Sequence, residues 1–134
     1  MIAYNLSTTP WWTEVPVSDE VLRANDSFYR AFNEKDAGAM AAVWSSSEEI
    51  SCIHPGWNVL AGREPVLDSW RHILANPGQP RIVFGGATAN VFGLVAIVLC
   101  RELVAGSPLA ATNVFLNEDG AWKLVHHQSG PVSA

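Results

Sequence analysis

From Arg81 to Ser129 the chain runs as four largely apolar segments, 81–90, 91–104, 109–116 and 121–129, separated by groups of Gly, Ser, Pro, Asn and Asp. Segments of this length, rich in β-branched and aromatic residues and bounded by turn formers, predict strands. The connectors Gly106-Ser107-Pro108 and Asn117-Glu118-Asp119-Gly120 are short enough to join the last three as hairpins. Upstream the hydrophobic period changes to that of helices. Val21, Ala24, Phe28, Ala31 and Phe32 recur at three and four, behind a Ser18 N-cap with Asp19 and Glu20 in the first turn. Asp36 caps a second helix in which Ala37, Met40, Ala41 and Trp44 share a side. Pro65 opens a third, with Val66, Leu67, Trp70, Ile73 and Leu74 on one face, and Asn76-Pro77-Gly78 ends it. Helices first and a meander afterwards predict an α+β domain. Between the second and third helices Ile50, Cys52 and His54 alternate with Ser51 and Ile53 until Pro55-Gly56 turns the chain. His54 therefore shares a face with Ile50 at the end of a short strand.

Composition narrows the partners. The 134 residues suit one domain, with residues 1–17 as an irregular N-terminal arm carrying Trp11 and Trp12, and 18–134 as the folded unit. Eight basic residues against 13 acidic ones give a net charge of −5, and the basic ones are scattered singly, which predicts no nucleic-acid partner. The longest apolar stretch, 91–100, is about half of what a bilayer needs, and the N-terminus has no signal core, so no membrane and a cytoplasmic location are expected. Cys52 and Cys100 read as buried free thiols. His54, His72, His126 and His127 form no pair at ligand spacing on one element, so neither a metal nor any other cofactor is expected. The unusual feature is six tryptophans, each with an indole N–H to satisfy when buried.

Three stretches, FYRAFNEKDAGAMAAVW, HPGWNVLAGREPVLDSW and DGAWKLVHHQSGP, resemble a SnoaL-like domain of the nuclear transport factor two (cystatin-like) superfamily. The last is also similar to the final strand of the calmodulin-dependent protein kinase association domain. The resemblance implies a cone-shaped roll: three N-terminal helices packed on a strongly curved, mostly antiparallel sheet, with an apolar pocket between them. Relatives of this fold include cyclases, isomerases, epoxide hydrolases and dehydratases as well as modules that only associate, so fold alone does not give function.

The resemblance places His54 where such enzymes keep a general base, and an imidazole there could move a proton near neutral pH; the alternative is a hydrogen-bonded turn residue at the pocket rim. An isomerase oxyanion hole does not assemble, because Phe28 stands at the position of its Tyr and no Asp occurs from Arg81 to Leu116. The Asp–Arg–Asp set of an epoxide hydrolase is equally absent. Trp44, Trp57 and Trp70 are expected to wall the pocket, and Asn113, His127 and Gln128 to supply polar contacts. Consecutive His126 and His127 must face opposite sides of their strand, Trp122, Leu124, His126 and Gln128 forming one row and Lys123, Val125, His127 and Ser129 the other; which row faces inward is open. The pair Arg101-Glu102 splits between the two faces, so that one of them could be a buried polar anchor in the pocket; a solvated strand end is the preferred reading. Two functions follow: a pocket for a small uncharged or aromatic molecule, with cyclase- or isomerase-type acid–base chemistry, or a non-catalytic self-association module. Under either, the fold resemblance implies a homodimer through the sheet face.

Overall fold

The computed structural model describes residues 14–133; Trp11, Trp12 and most of the expected arm lie outside them. Helix α1 spans Val17–Asn33 and α2 Ala37–Val43; the short strands β1, Ser51–Ile53, and β2, Leu60–Ala61, precede α3, Arg63–Ala75. Four long strands follow: β3 Ile82–Phe92, β4 Val95–Val104, β5 Ser107–Glu118 and β6 Ala121–Pro131. They form one six-stranded sheet in the order β2-β1-β6-β5-β4-β3, antiparallel throughout except where β1 runs parallel to β6. The expected α+β roll of three helices on a mostly antiparallel sheet is the observed fold.

Local chemistry explains the boundaries. Helix α1 begins one residue before Ser18: the Pro16 carbonyl accepts from the N–H groups of Asp19 and Glu20 at 2.9 and 3.2 Å, and no side chain caps the end. Asp36 does cap α2, accepting from the Ala39 N–H at 2.9 Å. The β4–β5 turn is Ala105-Gly106 and the β5–β6 turn is Asp119-Gly120, with φ of 49° and 83°, then 54° and 93°. Two successive positive φ values make the hairpin turn that matches strand twist, and Gly at the second position takes it without strain. The segment expected as one strand from 91 to 104 is broken at Gly93-Leu94, where the chain turns from β3 into β4.

The core lies between the three helices and the face of the sheet that they cover. Val21, Phe28, Met40, Val66, Val98, Phe115 and Leu124 are fully enclosed there. Along α1 the buried face also takes in Asn25 and Tyr29, two polar residues that the apolar spacing skips. Trp44 belongs to this core: it is 2% exposed and bridges to Leu124.

Candidate functional site

A cavity of about 590 Å³ opens between α3, the end of β1 and the inner face of β4–β6, within the size range of small-molecule sites. Its apolar walls include Phe32, Trp57 and Trp70, and its polar interior is made by His54, Glu102, His127 and Ser129.

His54 arrives as its alternation with Ile50 and Cys52 predicts, since all three are buried. Its backbone carbonyl accepts from the Trp57 N–H at 2.9 Å, which closes the Pro-Gly turn and brings the Trp57 ring against the imidazole, centroids 4.8 Å apart. The His54 Nε2 lies 2.8 Å from Ser69 Oγ, and the Ser69 hydroxyl donates to the Val66 carbonyl at 2.6 Å. A hydroxyl has one proton, so Ser69 accepts and the proton of His54 is on Nε2. Burial lowers the His54 pKa to about 4, leaving the ring neutral near physiological pH.

The inward residue of the His126-His127 pair is fixed by an irregularity in β6. Phe115 pairs with Leu124, but the next residue back on β5, Val114, pairs with His126. Val125 is thus an extra residue, a β-bulge that shifts the alternation by one. Below it Trp122 and Leu124 face the core; above it His127 and Ser129 do. Neither uninterrupted row of the alternation survives, and Gln128 lies exposed on the sheet face opposite the core, outside the cavity.

Behind His127 stands a buried polar chain. His127 Nδ1 donates to Asn113 Oδ1 at 2.5 Å, because an amide oxygen can only accept. Asn113 Nδ2 donates to Asn25 Oδ1 at 2.8 Å and to the Tyr29 hydroxyl oxygen at 3.2 Å. Tyr29 donates to Glu102 Oε2 at 2.6 Å, and Ser129 donates to Glu102 Oε1 at 2.5 Å. The direction of every bond follows from the acceptor at each end, and it leaves His127 Nε2 as a lone pair with no protein partner among the described residues. Burial, then the neighbouring imidazoles of His54 and His126, lowers the His127 pKa to about 3. Burial and the Glu102 carboxylate push the Tyr29 hydroxyl far above its ordinary range, so it stays a donor.

Several expectations are therefore corrected. Glu102 is not a solvated strand end: it follows Ala96, Val98 and Cys100 on the inward row of β4 and is 3% exposed. Trp44 packs in the core and does not line the cavity. Asn113 faces inward as expected but acts on His127 from behind. Trp70 is a wall as expected, its ring centroid 4.6 Å from His54 and 5.8 Å from His127, and Trp57 forms the rim at 48% exposure. The sequence assigns no site role to Tyr29, Ser69 or Ser129, and prefers a solvated position for Glu102. The period of β4 could have found Glu102, and the i, i+4 spacing of Asn25 and Tyr29 could have placed both on the buried face of α1. Among the described residues no group of three or more His, Cys, Asp or Glu is arranged to hold a metal ion, and no helix is long and apolar enough to cross a membrane.

Comparison with known proteins agrees with this architecture. A crystal structure of a candidate dehydratase of the NTF2-like family from Streptomyces avermitilis is 33% identical, covering 88% of this chain and 97% of that one, with a TM-score of 0.80. A candidate calcium/calmodulin-dependent protein kinase type II association domain from Thiobacillus denitrificans is 29% identical over 82% of this chain and 93% of that one, with a TM-score of 0.76. The F-box protein SKIP8 of Arabidopsis thaliana is 26% identical over 121 residues, 89% of this chain, and the chain spans about half of that relative's length, 52%. The family model described as the SnoaL-like domain matches residues 21–133, nearly all of the fold just described, and the chain belongs to that family.

Proposed function

We propose that the domain binds a small molecule with an apolar or aromatic body in this cavity, and that the neutral imidazole of His127 removes a proton from it. The observation that carries the reading is the unpaired Nε2 lone pair of His127, aligned by Asn113 inside a cavity it shares with His54 and Glu102. Sharing chemistry with the dehydratase-like relative would mean that one imidazole takes a proton from carbon and returns it to a departing hydroxyl. The C–H and C–O bonds then break, a double bond forms and water leaves. This moves the principal base from His54, whose N–H is held by Ser69, to His127.

The test works with any bound compound that carries an acidic C–H. Small aromatic compounds that quench tryptophan fluorescence are incubated with the protein in deuterated water and followed by proton NMR. Exchange of a ligand C–H that is lost in His127→Gln and retained in His72→Gln is the expected result. Binding without exchange in any ligand would remove the base role and keep the cavity role.

A second reading is self-association through the sheet face opposite the helices. It is favoured by the exposure of Val83, Leu99 and Leu103 at 65%, 47% and 43% on that face. Sedimentation of the chain and of Leu99→Glu tests it: a dimer that the charge converts to monomer is expected, and a monomeric parent chain ends this reading.

A further inference from the structure

The hydrogens of the polar groups deepest in the cavity, with that of Tyr29 behind them, are already committed. Ser129 donates its hydroxyl proton to Glu102, Tyr29 donates its own to the other oxygen, His127 gives its N–H to Asn113, and His54 gives its N–H to Ser69. Beside Glu102 the two imidazoles therefore present lone pairs; the donors left in the lining include the Trp70 indole N–H, which has no partner among the described residues, and the side chains of Asn76, Gln79 and Ser107 toward the mouth. The cavity also carries an uncompensated negative charge. Glu102 is enclosed, neither Lys nor Arg lines the cavity, and the one ion pair among the described residues, Arg71 with Asp68, lies on the exposed side of α3. The segment 1–13 has neither Lys nor Arg. A carboxylate oxygen has two lone pairs, and one hydroxyl on each oxygen leaves half of that capacity unused.

From this we infer that the ligand of the cavity is an organic ammonium: a primary amine, protonated, on an aromatic or apolar body. Its N–H groups match the free lone pairs of His127 and Glu102, and its charge is the one that Glu102 lacks. The rings of Phe32, Trp57 and Trp70 pack the body and favour a cation beside their faces. A carboxylate ligand would meet Glu102 with like charge. A ketone has no N–H or O–H for the lone pairs of His127 and Glu102 and would leave them unpaired. The inference rests on the cavity reading proposed above and replaces the uncharged ligand that the sequence suggests.

The probes are benzylamine, benzyl alcohol and benzoate, three compounds of nearly one shape, titrated into the full chain in phosphate buffer near neutral pH. Binding is read from tryptophan fluorescence and calorimetry. Benzylamine is expected to bind at least ~10-fold more tightly than benzyl alcohol, the factor that a hydrogen bond to a charged group supplies, and benzoate not at all. Glu102→Gln, checked for folding by circular dichroism, should cut benzylamine affinity ~10-fold and move benzyl alcohol by less than about threefold. If that variant does not fold, Ser129→Ala frees a further lone pair on Glu102, and amine selectivity must persist in it. Benzyl alcohol or benzoate binding as tightly as the amine would overturn the ammonium assignment while leaving the cavity reading intact. Amine selectivity undiminished in folded Glu102→Gln would also overturn it. No response to any of the three at millimolar concentration would end both.

Discussion

Mild acidification should destabilise this protein, because two of its imidazoles are buried without charge. In the unfolded chain a histidine takes its proton near 6.5; in the fold His54 takes one only near 4 and His127 near 3. Between those limits the unfolded state binds more protons, so stability falls as pH falls. At about pH 5 an unfolded histidine favours the protonated form roughly 30-fold, while its buried counterpart remains neutral, which costs about 2 kcal/mol for each ring. The half-buried His126, also lowered by burial, acts in the same direction. A combined loss of about 4 kcal/mol is a large part of the 5–15 kcal/mol that holds a domain of ordinary stability together. Urea denaturation at about pH 7 and about pH 5 measures it directly. His54→Gln and His127→Gln should each lose about 2 kcal/mol less than the parent chain between the two conditions, whatever either substitution costs at neutral pH, and the double variant about 4 kcal/mol less. A double variant as sensitive to pH as the parent would show that these rings are not held neutral inside the fold.

Two further outcomes separate the tryptophans and probe the polar chain. Trp44→Ala removes a ring that is 2% exposed and should cost about 3–5 kcal/mol in chemical denaturation, whereas Trp57→Ala at the 48% exposed rim should cost less than about 1 kcal/mol and weaken ligand quenching. Equal costs would mean that the two rings are not divided between core and rim. Tyr29→Phe leaves buried Glu102 with Ser129 as its only donor and should cost about 1–3 kcal/mol; with Glu102→Leu in the same chain the two costs should be strongly non-additive, as a double-mutant cycle would read.

What could be read from the sequence, and what could not, divides along the reach of each interaction. His54 was legible because its inward direction depends only on unbroken alternation from Ile50, and the Asp36 cap because its acceptor and donor are three residues apart. The orientation of His127 was not legible, since one added residue at Val125 inverts every assignment beyond it and nothing in the local pattern marks a bulge. Glu102 was misread for a different reason. An isolated carboxylate is costly to bury, and the hydroxyls that make its burial tolerable come from Tyr29 and Ser129, 73 and 27 residues away. Trp44 was misplaced because a tryptophan at a helix end fits a pocket wall and a core equally well until the position of β6 is known. The resemblance supplied the roll, but the site depends on contacts between its two ends.

An enclosed carboxylate with no cationic partner in its cavity also bears on how the protein is handled in the laboratory. Tris and other primary-amine buffers are themselves organic ammonium ions at neutral pH, commonly present at concentrations far above those of any added ligand. If Glu102 recruits an ammonium group, such buffers compete for its carboxylate, raise apparent thermal stability by mass action and conceal a genuine ligand in a screen. Phosphate would leave the cavity free, and the difference in melting temperature between the two buffers would be a first measurement of what the cavity prefers.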